Sequence, residues 1–195
     1  MALPRFFAAL IAGAMLASSP ALAAGIEEIR LQFQQGDLVG ALESADRYLA
    51  RNPRDAQVRF IKGLILADQD RPDEAIEIFG ALTEDYPELP EPYNNLAVIH
   101  AAHGRYQTAL YSLEMAIRAH PGYATAYENL GDIRARMASE AYETALALDS
   151  GNATAQAKLK LMRTLLADQT LKPAATQSIR IEPQTAPDPS WAQER

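Results

Sequence analysis

Small and apolar residues return along this chain at two superimposed spacings. At short range they recur three and four residues apart, as in Phe60, Gly63, Leu64 and Ala67, and then in Ala75, Ile76, Phe79 and Leu82. That is the period of helices with one buried stripe each. At long range whole stripes recur every 34 residues. Ala41, Ala75 and Ala109 share one column, and Pro53, Pro87 and Pro121 another. Further columns are Arg59, Tyr93 and Tyr127; Gly63, Ala97 and Gly131; Ala45, Phe79 and Leu113; and Gly36, Asp70 and Gly104. A shared period of this length predicts two-helix units stacked side by side.

The elements follow in order. Ile26 to Gln35 is the expected first helix, with a turn at Gly36 and Asp37 capping a second helix to about Arg51. Asp55 caps a helix through Ala67, and Pro72 opens the next one after the turn at Asp70-Arg71. Pro90 and Pro92 open the first helix of the third unit, and Gly104 sits at its turn. In the fourth unit Tyr127 and Gly131 arrive on time, but the second-helix markers Ala138, Tyr142 and Ala145 come five residues early. The span from Asp132 to Glu143 has no Gly or Pro, so a single continuous helix from about Thr125 to Leu148 is expected. The alternative is a tight break near Ala138-Ser139. Asn152 then caps a last helix to about Asp168, with Leu159, Met162, Leu165 and Leu166 on one face.

These columns resemble the tetratricopeptide repeat family. Gly63, Ala97 and Gly131 stand where that family places a small residue, Ala41, Ala75 and Ala109 where it places Ala, and Pro53, Pro87 and Pro121 where it places Pro. The resemblance implies an all-α fold, a right-handed α-solenoid of about three to four stacked helix hairpins plus a C-terminal capping helix. The repeats are expected at about 24–53, 54–87 and 88–121, with a shortened one at 122–150 and the capping helix at 152–168.

Composition adds an address. Arg5 precedes an apolar run from Phe6 to Ala17, then Ser18-Ser19-Pro20 and Ala21-Leu22-Ala23. That order predicts a cleavable signal peptide over 1–23 and an exported, periplasmic protein. Twelve apolar residues reach about 18 Å, too short for a membrane span. The chain has no cysteine, which excludes disulfides and thiol chemistry. From residue 169 onward Pro-rich, mostly polar sequence predicts a disordered tail, which carries the single tryptophan, Trp191. The net charge of −7 argues against a nucleic-acid partner and favours basic or neutral ligands.

Chemistry is sparse. There is no nucleophile elbow and no Gly-rich phosphate loop. His100 and His103 are three apart on a helix, too few ligands for a zinc site, and His100 falls at a core position. No enzyme, metal or cofactor is expected. The resemblance instead implies a concave groove lined by the first helix of each repeat: Gln57, Phe60, Ile61, Leu64 and Asp68; Glu91, Asn94, Asn95 and Val98; Glu128, Asn129, Asp132 and Arg136. Of these, Phe60, Leu64, Asn94, Asn95, Val98, Glu128, Asn129, Asp132 and Arg136 are the expected partner-binding set. Asn95 and Asn129 match an asparagine that in some members of the family bonds a peptide backbone. The expected function is a non-catalytic adaptor or scaffold for another envelope protein or peptide. Alternatives are self-assembly through the continuous fourth helix, a periplasmic holdase, and a cell-wall enzyme for which no site can be named.

Overall fold

The computed structural model describes residues 20–167. The signal-peptide expectation falls outside these residues except for its last four, and the tail with Trp191 lies beyond them. The described chain is all-helical: α1 (Pro20–Gln34), α2 (Leu38–Leu49), α3 (Ala56–Asp68), α4 (Pro72–Asp85), α5 (Pro90–Ala102), α6 (Tyr106–Ala119), α7 (Ala124–Leu148) and α8 (Ala153–Ala167). The first helix starts at Pro20, six residues ahead of the expected Ile26. No helix among the described residues is long and apolar enough to cross a membrane.

Three hairpins, α1–α2, α3–α4 and α5–α6, are closed by one repeated device. Gly36, Asp70 and Gly104 have φ of 78°, 58° and 69°, the left-handed conformation that ends a helix. In each case the next amide reaches back five residues: Asp37 N–H to the Gln32 carbonyl at 3.0 Å, Arg71 to Leu66 at 3.0 Å, Arg105 to His100 at 2.9 Å. The turn satisfies carbonyls that a helix end leaves open. The next helix starts under its own cap. Asp37 accepts from the Gly40 amide at 3.0 Å, Asp55 from Val58 at 3.0 Å and Asn152 from Ala155 at 2.9 Å; Pro72 and Pro90 open α4 and α5.

The columns become the core. Ala41, Ala75 and Ala109 are buried, and so are Ala45, Phe79 and Leu113. Gly63 shows why its column is small: a Cβ there would meet the Phe79 ring at 2.7 Å. Two clusters result. One joins α1 to α5 through Ile29, Leu64, Ile65, Phe79 and Leu82; the other joins α5 to α7 through Tyr93, Ala97, Leu113, Ala126 and Ile133. Polar ties cross between elements at the rim. Lys62 pairs with Asp46 at 2.7 Å and Arg59 with Asp85 at 2.6 Å, while the Tyr86 hydroxyl donates to the Arg54 carbonyl at 2.8 Å.

The fourth repeat has no hairpin. α7 runs unbroken for 25 residues, as the missing turn predicts, so its second half continues away from its first. α8 folds back along that second half and is held by Arg163 on Glu143 at 3.2 Å and by Lys158 over the Tyr142 ring.

Candidate functional site

The expected groove side chains come from α3, α5 and α7, and the structure treats them unequally. Phe60 is half-buried and meets Phe79 edge-on, with ring centres 5.5 Å apart. Leu64 has no exposed surface, and Val98 and Ile61 are buried, so they back the wall and do not face a ligand. The apolar contact on α3 therefore falls to Phe60. Gln57 is half-buried and Asp68 exposed.

On α5 and α7 the amides are already engaged. Asn94 and Asn95 are both 6% exposed. Asn95 donates to the Glu91 carbonyl of its own helix at 2.8 Å, and Asn129 donates to the Asn94 Oδ1 at 2.8 Å. Both side-chain amides thus already donate a hydrogen bond within the chain, as an amide shielded from water tends to do because an unpaired one is costly. The Asn94–Asn129 bond is a tie between neighbouring repeats that residue spacing alone did not reveal. The position of both asparagines on facing first helices was the available signal.

The exposed chemistry of this wall is carboxylate. Glu128 is exposed, while Asp132 and Arg136 are half-buried one and two turns along α7. Burial, reinforced by the Glu128 charge and opposed by Arg136, pushes the Asp132 carboxyl above its ordinary range. Partial desolvation likewise raises the Asp68 carboxyl. Tyr123, at the start of α7, is pushed up to about 12 by burial and by the nearby Glu91 charge. The raised Asp132 carboxyl would be relieved by a nearby cation.

The histidines stay apart from this. His103 Nδ1 lies 2.8 Å from the Ile99 carbonyl, and His100 Nδ1 is buried with no hydrogen-bond partner among the described residues. Burial first, then Arg105 and His103, holds the His100 imidazolium down. No group of three or more His, Asp or Glu converges on a metal-sized site among the described residues. A hollow of about 780 Å³ lies between α7 and α8, lined by Leu146, Gln156, Leu159, Lys160, Arg163, Thr164 and Ala167; it includes none of the expected groove residues.

The model of the tetratricopeptide repeat family matches residues 26–90, 68–124 and 94–137. The Arabidopsis thaliana protein described as tetratricopeptide repeat domain-containing protein PYG7, chloroplastic, is 32% identical over 77 residues, covering 37% of this chain and 26% of that protein. The chain thus spans about a quarter of that relative's length. Among solved structures, MamA protein aligns with a TM-score of 0.54 at 22% identity, over 81% of this chain and 87% of that one. YrrB, described as a TPR protein with an unusual peptide-binding site, aligns with a TM-score of 0.51 at 26% identity, over 54% of this chain and 55% of that one.

Proposed function

The chain belongs to the tetratricopeptide repeat family, and from that premise we propose that it is a non-catalytic, exported adaptor. It takes a segment of another envelope protein along the first-helix face of α3, α5 and α7. The observation that carries this reading is the composition of that face. Phe60 offers a half-open aromatic edge, and Glu91, Glu128 and Asp132 offer carboxylates against the single Arg136. Such a wall suits an extended or helical peptide with an apolar anchor and basic side chains. The likeness to YrrB, a TPR protein with an unusual peptide-binding site, supports the class of ligand. Periplasmic residence is supported by the order of residues 1–23.

The test is site-specific photocrosslinking in the native compartment. A photoreactive residue replacing Phe60 should give one dominant heterologous adduct, and the same residue replacing exposed Glu84 on α4 should not. Equal adducts from both positions, or adducts with many unfolded chains, would replace the adaptor with a holdase. Self-assembly through α7 is the second reading, favoured by faces of that helix left uncovered in the single chain.

A further inference from the structure

The open faces of α7 have closed counterparts in the earlier repeats. Gly63 lies under Phe79, and in the next repeat Ala97 and Leu113 hold the same two columns, both buried. In the fourth repeat Gly131 is exposed, and a Cβ there would meet nothing within 4 Å among the described residues. Tyr127 is 49% exposed where Tyr93 is 9%. The residue that belongs over Gly131 is Tyr142, which falls in the Phe79 and Leu113 column once the missing turn is allowed for. Tyr142 sits on the same helix, eleven residues away, about 16 Å along the axis. It is half-buried, and so are Ala138 and Ala145 beside it, whereas Ala109 and Ala116 of α6 are fully buried.

Eleven residues are about three helical turns, so Gly131 and Tyr142 point to the same side of α7. One straight helix therefore carries both halves of a hairpin contact on a single face, where it cannot close them on itself. We propose that a second copy of this chain closes them, lying antiparallel along α7 with Tyr142 of each copy over Gly131 of the other. The two-fold axis passes between Arg136 and Met137. Each fourth repeat then takes its second helix from the other chain, a reciprocal exchange with an isologous interface.

Charge complementarity selects this occupant. Within one chain the Asn94–Asn129 hydrogen bond ties α5 to α7. One repeat later the matching positions are Glu128 on α7 and Lys158 on α8. Both are exposed, and neither has an ion-pair partner among the described residues. In the single chain α8 lies along the second half of α7, with Lys158 over Tyr142, which keeps it from Glu128. Antiparallel exchange carries Lys158 of the second copy to Glu128, and symmetry makes the pair twice. The proposal makes no use of the groove reading and survives its failure.

The chain has no cysteine, which allows a clean test on the full chain. Gly131→Cys and Tyr142→Cys variants are purified separately and treated with a short bismaleimide, alone and mixed. The expected result is covalent dimer from the mixture, with little from either variant alone, because like positions stand about 16 Å apart along the pair. Glu128→Lys should weaken self-association about tenfold, with Lys158→Glu in the same chain restoring it. Light scattering on the unsubstituted chain guards against misfolded variants. A dimer whose mixed variants fail to crosslink would overturn the register, and a monomer at every concentration would overturn the exchange.

Discussion

The second and fourth repeats carry the same columns and reach opposite ends. In α3–α4, Gly63 admits the Phe79 ring, and Phe79 in turn packs against Phe60. In α7, no described residue covers Gly131, and Tyr142 is stranded on the far half of the helix. Apolar pattern does not separate them, since both halves of α7 keep the stripe. The difference is a left-handed residue. Asp70 reverses the chain between α3 and α4, whereas no residue between Gly131 and Ala138 departs from the helix. Column residues decide what fits once two helices meet; the turn decides whether they meet.

The sharpest way to break this comparison is to truncate the two aromatic partners. Phe79 is fully buried, so Phe79→Ala should cost about 3–5 kcal/mol of stability. Tyr142→Ala removes a half-exposed ring and should cost about 1 kcal/mol in urea unfolding at high dilution. Equal costs would mean that Tyr142 is packed within its own chain.

Amide exchange extends the comparison to whole elements. The two core clusters run through α1–α7 and draw nothing from α8 or from α7 beyond Met137. At high dilution, amides of α8 and of α7 beyond Ala138 should open at least about 2 kcal/mol below those of α3–α6. A cleft of unprotected amides confined to 137–140 would instead show that α7 is broken.

Glycine substitutions give the next smaller effect, with opposite signs. Gly63→Ala forces the Phe79 ring to move and should destabilise by about 1–3 kcal/mol. Gly131→Ala meets nothing in the single chain and should stabilise by up to about 1 kcal/mol through helix propensity. Thermal melts of the pair at matched dilution suffice to read the sign.

Much of this asymmetry is legible in the sequence. The 34-residue columns located the hairpins, the caps at Asp37, Asp55 and Asn152 formed as expected, and the five-residue shortfall in the fourth repeat foretold α7. The groove was legible only as a set of positions. Column arithmetic assigns a residue to a face but says nothing of what its neighbour does there. Asn95 turned to its own helix and Asn129 to Asn94 because a buried amide bonds within reach. Leu64 stands in both the buried stripe and the groove set, and it lies in the core, where the helices of this unit close tightly over Gly63.

The smallest expected effect lies in a column that changes character along the chain: Leu66, His100 and Arg134 are buried, half-buried and exposed in turn. His100 sits at the transition. Its Nδ1 is buried without a partner among the described residues, and burial, Arg105 and His103 all favour the neutral ring. The folded pKa lies below the ordinary 6.5, so just below that pH the unfolded chain binds a proton that the folded chain resists. Stability should therefore fall as pH drops through about 6.5 and level off, for this group, below its depressed folded pKa. His100→Leu restores the residue of the Leu66 column and should remove this part of the slope while leaving the carboxylate titrations in place. Urea midpoints for both chains across this range would read the difference. Parallel curves would place the His100 ring in water and with it the third repeat's turn, which would make the third repeat resemble the fourth more than the second.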